Sequence, residues 1–293
     1  MTLVTRFAPS PTGPLHLGHA YSALVASDRA ASENGRFLLR IEDIDQSRSR
    51  QLWEDQIYSD LRWLGLTWPE PVMRQSDRMG VYQKALDQLW AQGLLYPCTC
   101  NRKDIAAATS APQEGAPMLG PDGLVYPGTC QKRFAGKDLS KLPRPTQDPL
   151  RLDVVKACQA VRNPDRYRFL ELGSGPGGET GIITFTPDEL ITTIGDVVLS
   201  RRDMGTSYHL SVVLDDAAQG VTQVVRGRDL FDATRIHVLL QALLNLPTPE
   251  YFHHDLIRDG AGKRLAKRDD ARAISKYRAE GASPDDIRRM VGL

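Results

Sequence analysis

The chain has 293 residues, enough for two modest domains or for one large domain with an insertion. Its 37 Lys and Arg residues are balanced by 36 Asp and Glu, which argues against nucleic-acid binding driven by a large positive field. No apolar run approaches the ~18 residues that span a bilayer, and the N-terminus lacks the layout of a secretory signal. We therefore expect a cytoplasmic protein that does not contact a membrane.

The N-terminal segment carries the pattern of a βαβ unit. Residues 3–7 form a short apolar run, a Pro- and Gly-rich loop follows, and residues 17–33 place apolar side chains at helical spacing. A second apolar run at residues 37–41 leads into Glu42. Such units build parallel, doubly wound sheets that bind ligands at the carboxyl ends of the strands. The sequence therefore predicts an α/β, Rossmann-like fold with a site that joins residues 8–19 to Glu42.

Downstream, the regular pattern is interrupted once. Residues 97–181 are rich in Pro, Gly and small polar side chains and are predicted to be an inserted, loop-rich subdomain with only short strands. The predicted organisation is a catalytic domain over residues 1–245, interrupted by this subdomain, and a C-terminal segment over residues 246–293. The other predicted elements are helices at 52–64, 81–95 and 234–244, strands at 167–172, 196–199, 211–214 and 222–225, and a helix start at Ser283.

The motif HLGH at residues 16–19 lies where the predicted loop gives way to the first helix. Backbone N–H groups and the helix dipole attract phosphate there, and His16 and His19 can donate hydrogen bonds to phosphate oxygens. Gly18 leaves room for a nucleotide to approach the backbone. Taken alone, the pattern is also typical of two surface histidines at helical spacing, because short motifs recur by chance.

The longer string RFAPSPTGPLHLGH, residues 6–19, closely resembles the HIGH signature of class I aminoacyl-tRNA synthetases in its glutamyl form. RIEDID at residues 40–45 follows after one helix, as it does in that family. The resemblance implies that His16, Gly18 and His19 bind ATP and that the two histidines take part in catalysis.

The string GKRLAKR at residues 262–268 resembles the KMSKS loop of the same family. Arg264 stands in place of the first lysine, Ala266 replaces the serine, and Lys267 matches the second lysine. The resemblance implies that Arg264 and Lys267 bind ATP, with Lys267 catalytic, whereas the serine contact is lost. Taken alone, the string is typical of an exposed basic loop. The C-terminal segment is thus predicted to hold this loop and short helices.

Two further strings closely resemble glutamyl-tRNA synthetases, SYHLSVVLDD at residues 207–216 and VVRGRD at residues 224–229. A glutamate pocket needs cations for its carboxylates, and arginine suits them because its planar fork donates two parallel hydrogen bonds. The resemblance implies that Arg6, Tyr208 and Arg226 hold carboxylate groups. Glu42 would pair with the α-ammonium group. The rest of the implied pocket is Phe7, Ala8, Pro9 and Ser10. Taken singly, each residue also has a structural explanation. Tyr208 could be a core tyrosine, Glu42 a surface acid and Arg226 the partner of Asp229.

Four cysteines are present, and disulfides are improbable in the cytosol. Cys98, Cys100 and Cys130 supply three of the four ligands that structural zinc needs, so ligand chemistry alone is compatible with zinc or with buried free thiols. The pattern C-x-C…Y-x-x-x-C resembles that of glutamyl-queuosine tRNA(Asp) synthetases and some glutamyl-tRNA synthetases. It implies one structural Zn²⁺ held by Cys98, Cys100, Tyr126 and Cys130. Cys158 lies outside the pattern and is expected to pack in the core.

Only 25 residues follow Arg268, whereas an anticodon-binding domain needs ~50 or more, so we expect none. A chain with the zinc pattern and without an anticodon-binding domain resembles glutamyl-queuosine tRNA(Asp) synthetases. The resemblance implies a monomeric ligase that uses ATP with Mg²⁺ to convert L-glutamate to glutamyl-adenylate and transfers it to queuosine in the anticodon of tRNA(Asp). The alternatives are an enzyme that charges a tRNA 3′ end and a catalytically inactive RNA-binding homologue.

Overall fold

The computed structural model of the chain describes residues 2–109, 119–258 and 272–293. In chain order, its elements are β1 (Val4–Phe7), α1 (Leu17–Ser32), β2 (Arg36–Ile41), α2 (Gln51–Trp63), β3 (Met73–Arg74), α3 (Met79–Ala91), β4 (Leu95–Pro97), α4 (Arg102–Thr109), β5 (Leu119–Gly120), β6 (Gly123–Leu124), β7 (Leu150–Leu152), α5 (Val154–Ala160), β8 (Arg168–Glu171), β9 (Gly181–Thr184), α6 (Pro187–Glu189), β10 (Val198–Ser200), α7 (Tyr208–Ala218), β11 (Gln223–Gly227), α8 (Ala233–Leu243), β12 (Glu250–His254), α9 (Ile274–Ala279) and α10 (Pro284–Val291).

A parallel sheet lies at the centre of the fold. β1, β2 and β3 pair in parallel, as do β11, β12 and β8, and β9 adds an antiparallel edge. The two groups meet where the Thr222 amide donates a hydrogen bond to the Val4 carbonyl at 3.0 Å. The resulting order, β3–β2–β1–β11–β12–β8, confirms the predicted Rossmann-like sheet. Its order reverses between β1 and β11, which is where such sheets bind ligands.

Helix α1 covers the sheet with small side chains that allow close approach. Ala20, Ala23 and Ala26 are fully buried, and the Thr5 hydroxyl donates to the Ala26 carbonyl at 2.7 Å. Helix α10 begins as predicted at Ser283, whose hydroxyl accepts from the Asp286 amide at 3.2 Å. Helix α10 packs against α1, and both C-terminal helices contribute side chains to the hydrophobic core on that side.

One predicted strand is wrong, because residues 211–214 lie inside α7. This helix packs against α3 and α8, so most of its residues are buried. Periodicity therefore does not distinguish a helix from a strand in its short apolar run. The predicted helix at 81–95 also ends earlier, at Ala91. Gly93 adopts a φ of +72°, a backbone conformation that ends helices, and the chain continues into β4.

The inserted region contributes β7 to a small antiparallel sheet in the order β10–β7–β4, whose outer strands flank the region in sequence. It also contains helices α4 and α5, so the prediction of short strands alone is wrong. Both helices have eight residues or fewer, and such lengths carry too little periodicity to stand out in a Pro- and Gly-rich sequence. The domain boundaries stay a prediction. Among the described helices, none combines the length and the apolar character needed to cross a membrane.

Asp215 attaches α7 to the segment that precedes and opens α3. Its fully buried carboxylate accepts hydrogen bonds from Gln75 Nε2 at 2.9 Å, Arg78 Nε at 2.6 Å and the Tyr82 hydroxyl at 2.8 Å. Removal of the carboxylate leaves three buried or half-buried donors without their acceptor. We predict that Asp215→Ala lowers the free energy of unfolding by ~3–5 kcal/mol, measured by urea denaturation.

Asp165→Ala is the matched control, because Asp165 is exposed and lies 3.6 Å from the exposed Arg168. We expect this control to change the free energy of unfolding by less than ~0.5 kcal/mol. Equal stability of the two variants would show that Asp215 does not anchor α7.

Candidate active site and metal centre

A cleft of about 560 Å³ opens at the carboxyl ends of β1 and β11, where the strand order reverses. The structure brings together in its walls these residues singled out from the sequence: Arg6, Phe7, Ala8, Pro9, Ser10, His16, Gly18, His19, Glu42, Tyr208 and Arg226. The walls also contain residues that the sequence did not single out, among them Ser22, Leu230 and His254. Residues far apart in the sequence, from Arg6 to His254, therefore share one cleft.

The HLGH motif forms the start of α1, as predicted. His16 caps the helix, since its Nδ1 accepts a hydrogen bond from the Gly18 amide at 3.1 Å, while His19 Nδ1 accepts from the His16 amide at 3.1 Å. In each neutral ring the proton is therefore on Nε2. Gly18 has a further reason to be glycine, because a Cβ atom there would lie 3.0 Å from Cε1 of His16.

The β1 and β2 side of the cleft contains a buried cluster of two cations and two anions. Arg6 Nε and Arg40 Nη1 both donate to Asp216 Oδ1, at 3.0 and 2.7 Å, and Arg40 Nη2 donates to Glu42 Oε1 at 3.1 Å. Burial opposes ionisation of Asp216, but Arg6 and Arg40 outweigh it and hold the pKa of this carboxyl below its usual value. Burial raises the pKa of Glu42, because desolvation outweighs the attraction of Arg40 and Arg6.

Arg226 lies at the end of β11, and its guanidinium is held on three sides. Nε donates to His253 Nε2 at 3.0 Å, Nη1 to His237 Nδ1 at 3.1 Å and Nη2 to the Thr234 hydroxyl at 2.7 Å. These partners, rather than Asp229, fix the side chain. No sequence pattern indicated these partners, because α8 and β12 meet β11 only in the folded protein.

Tyr208 opens α7 and is half-buried against the cleft. Its ring centroid lies 5.7 Å from that of His237, so the ring stands beside the Arg226 cluster. Burial raises the pKa of Tyr208, which keeps the phenol protonated and able to donate a hydrogen bond. Arg226 and Tyr208 thus face the cleft from β11 and α7.

Across the cleft, the Ser22 hydroxyl and His254 Nε2 are 2.6 Å apart. Burial lowers the pKa of His254 to about 4, so the ring is neutral at physiological pH. His254 Nδ1 donates to the Asp255 carbonyl at 2.8 Å, which leaves Nε2 as the acceptor for Ser22.

Cys98, Cys100, Tyr126 and Cys130 form one cluster in the inserted region. The three Sγ atoms lie within 4.8 Å of one another. Cys100 Sγ is 3.4 Å from Cys130 Sγ, and the Tyr126 hydroxyl is 3.5 Å from Cys98 Sγ and 3.4 Å from Cys100 Sγ. Tetrahedral zinc with bonds of ~2.3 Å spaces its ligands by roughly 3.7 Å, so the cluster has nearly the right size.

Arg151 borders this cluster and places a positive charge beside it. Its Nε donates to Cys98 Sγ at 3.2 Å, and its guanidinium lies 3.9 Å from the centroid of the Tyr126 ring. A cation beside the ligands favours thiolates, the form that binds metal. Cys158, as expected, is buried in the core away from the cluster.

The predicted KMSKS-like loop, with Arg264 and Lys267, lies outside the described residues. Its place relative to the HLGH motif stays a prediction.

Comparison with known proteins identifies related sequences and structures. The family described as "tRNA synthetases class I (E and Q), catalytic domain" matches residues 2–143 and 179–293. A glutamyl-Q tRNA(Asp) synthetase of Rhodobacter capsulatus is 60% identical over 99% of this chain and 100% of its own length. One from Symbiobacterium thermophilum is 40% identical over 97% of this chain and 84% of its own length.

Among solved structures, a glutamate tRNA ligase from Elizabethkingia meningosepticum in complex with its amino acid has a TM-score of 0.72 and 25% identity. The match covers 100% of this chain but 61% of that one, so the chain spans about three fifths of the length of that ligase. With the family matching most of the chain, and a full-length relative at 60% identity, the chain belongs to the class I glutamyl- and glutaminyl-tRNA synthetase family, in the group of the glutamyl-Q tRNA(Asp) synthetases.

Proposed function

We propose that this protein activates L-glutamate with ATP and transfers the glutamyl group to queuosine in the anticodon of tRNA(Asp). The observation that carries the proposal is the cleft at the reversal of strand order, in which Arg226, Tyr208 and Glu42 converge beside the HLGH motif. Such a cleft offers cations for carboxylates, an acid for an ammonium group and a helix N-terminus for phosphates. The names of the relatives at 60% and 40% identity support the same acceptor.

In the first step, an α-carboxylate oxygen of glutamate attacks the α-phosphorus of ATP, and pyrophosphate leaves. The protein would contribute position and charge rather than covalent chemistry. His16 and His19 would donate from Nε2 to phosphate oxygens, while Lys267 and Arg264 stabilise the charge of the leaving group. Mg²⁺ that accompanies ATP would neutralise part of the triphosphate charge.

The amino-acid substrate would lie between β1 and β11. Arg226 and Tyr208 would hold a carboxylate, and Glu42 would pair with the α-ammonium group. Arg6 already donates two hydrogen bonds to Asp216. We therefore propose that it attracts the substrate carboxylates through its positive charge. The 8–10 backbone would form the floor of the pocket.

In the second step, a hydroxyl of the queuosine cyclopentenediol attacks the carbonyl carbon of the adenylate, AMP leaves, and the hydroxyl proton is released. An ester joins glutamate to the base. The cysteine cluster would hold one structural Zn²⁺ and takes no part in these steps. We further propose that the protein acts in the cytoplasm as a monomer, with tRNA(Asp) as its macromolecular partner.

The acceptor is tested by transfer of labelled glutamate, with ATP and Mg²⁺, to bulk tRNA from cells with and without queuosine. We predict label only in the pool that contains queuosine, and within it only on tRNA(Asp). Equal labelling of both pools would instead indicate charging of the 3′ end. If neither pool is labelled, glutamate-dependent pyrophosphate exchange decides whether activation itself occurs.

Glu42→Gln tests the ammonium site. Because the amide cannot form an ion pair with an ammonium group, we predict that KM for glutamate rises ~10-fold or more in pyrophosphate exchange, with KM for ATP unchanged. Since burial raises the pKa of Glu42, affinity of the native protein for glutamate should also fall as the pH drops toward that pKa, and the variant should lack this dependence. Glu33→Gln, at an exposed position, is the control. An unchanged KM in Glu42→Gln would reject the assignment.

Zinc content tests the metal centre. We predict about one zinc per chain by inductively coupled plasma mass spectrometry, and loss of most of it in Cys130→Ser, because structural zinc uses four ligands. Cys158→Ser is the matched control and should keep its zinc. Equal zinc content in all three proteins would show that the cluster does not bind the metal.

A further inference from the structure

A line of hydrogen bonds, buried at its inner end, leads from the cleft to a surface turn about 100 residues away in sequence. From Arg226, His237 Nδ1 is 3.1 Å away, and His237 Nε2 lies 3.1 Å from His209 Nδ1. His209 Nε2 is 3.0 Å from Asp122 Oδ2, in the turn between β5 and β6. We call Asp122, His209 and His237 the histidine bridge.

The bridge permits only one arrangement of protons. A guanidinium can only donate, so His237 Nδ1 accepts from Arg226 and the neutral ring carries its proton on Nε2. That proton faces His209 Nδ1, which must accept, and His209 therefore carries its own proton on Nε2. There it donates to Asp122. Protonation of either ring would place one N–H against another.

The surroundings keep the bridge in this state. His237 is 2% exposed, and its pKa lies well below the usual value because of desolvation, the charge of Arg226 and the neighbouring His209. At the outer end, burial opposes ionisation of Asp122, but the hydrogen bond from His209 and the positive charges of Arg201 and Arg151 prevail and lower the pKa of this carboxyl. The line therefore begins on a permanent cation and ends on a carboxylate, with two rings between them whose hydrogen bonds fit the neutral form.

A second line fixes the same guanidinium from the other side. His253 Nε2 accepts from Arg226 Nε, so its proton is on Nδ1, which donates to Glu171 Oε2 at 2.5 Å. Thr234 takes a third N–H group. A guanidinium has five N–H groups, so among the described contacts one remains on each terminal nitrogen. That is the number that a carboxylate needs for two parallel hydrogen bonds.

We propose that Asp122, His209 and His237 are positioning residues for the amino-acid substrate, which act through Arg226 and not by contact with the substrate. The bridge holds Arg226 so that its two remaining N–H groups point at the carboxylate. This inference rests on the proposed activation of glutamate. It also assigns a role in substrate binding to Asp122, a half-exposed residue in the inserted region.

Two pairs of variants test the bridge, each with a matched conservative change. His237→Leu removes both hydrogen bonds, whereas in His237→Gln the amide oxygen can accept from Arg226 and the amide nitrogen can donate to His209. Asp122→Ala removes the outer acceptor, whereas the side-chain oxygen of Asp122→Asn can still accept from His209. Asp122 lies at the surface, so this pair is informative even if His237→Leu fails to fold.

The measurement is pyrophosphate exchange, with KM determined separately for glutamate and for ATP. We expect KM for glutamate to rise ~10-fold or more in His237→Leu and ~3-fold or more in Asp122→Ala, with KM for ATP unchanged. The conservative partners should stay within ~2-fold of the native protein. A rise shared equally by both substrates, or an unchanged KM for glutamate in Asp122→Ala, would overturn the positioning role. No exchange with the native protein would instead overturn the proposed activation, and the bridge's role with it.

Discussion

The structure depends on the burial of positive charge at the point where the central sheet reverses its strand order. Three arginines, Arg6, Arg40 and Arg226, are each at most 5% exposed there. Charge removed from water is costly unless partners with good geometry compensate it. Asp216 and Glu42 neutralise the first two, while Arg226 is surrounded by neutral acceptors. Among the described contacts, Arg226 is therefore the one of these arginines that no carboxylate touches directly, which makes it the cation best able to attract an anionic ligand.

Helix α7 makes this arrangement rigid. One turn of it directs Asp215 toward Arg78 and Tyr82 near α3, and Asp216 toward Arg6 and Arg40 in the sheet. Consecutive helical residues point about 100° apart, so one helix can meet two different layers at once. Because Tyr208 begins the same helix, the position of its ring in the cleft follows from these two buried carboxylates. Packing and site geometry thus have a common origin.

Sequence patterns predicted those elements that depend on residues close to one another in the sequence. The strand-loop-helix unit around His16 and the C-terminal start at Ser283 depend on residues a few positions apart, and both are confirmed. The residues assigned to the amino-acid pocket came from family resemblance, and the structure places them in one cleft. Periodicity failed for α7, since a helix buried by two neighbours shows no polar face. Nor could it reveal His237 and His253, whose contact with Arg226 arises only when α8 and β12 pack beside β11.

One short segment of the inserted region takes part in both the cysteine cluster and the support of Arg226. Residues 120–126 carry Asp122 to the histidine bridge and Tyr126 to the cysteine cluster. Their backbone lies tightly against the turn after α6, since a Cβ atom on Gly120 would come within 2.7 Å of the Thr193 carbonyl, and one on Gly195 within 2.8 Å of Val125. Two glycines thus allow a contact too close for any side chain, and Gly195 also needs its φ of +68°. A displacement of this segment would alter the cysteine cluster and the support of Arg226 together, which physically couples the cysteine cluster to the cleft.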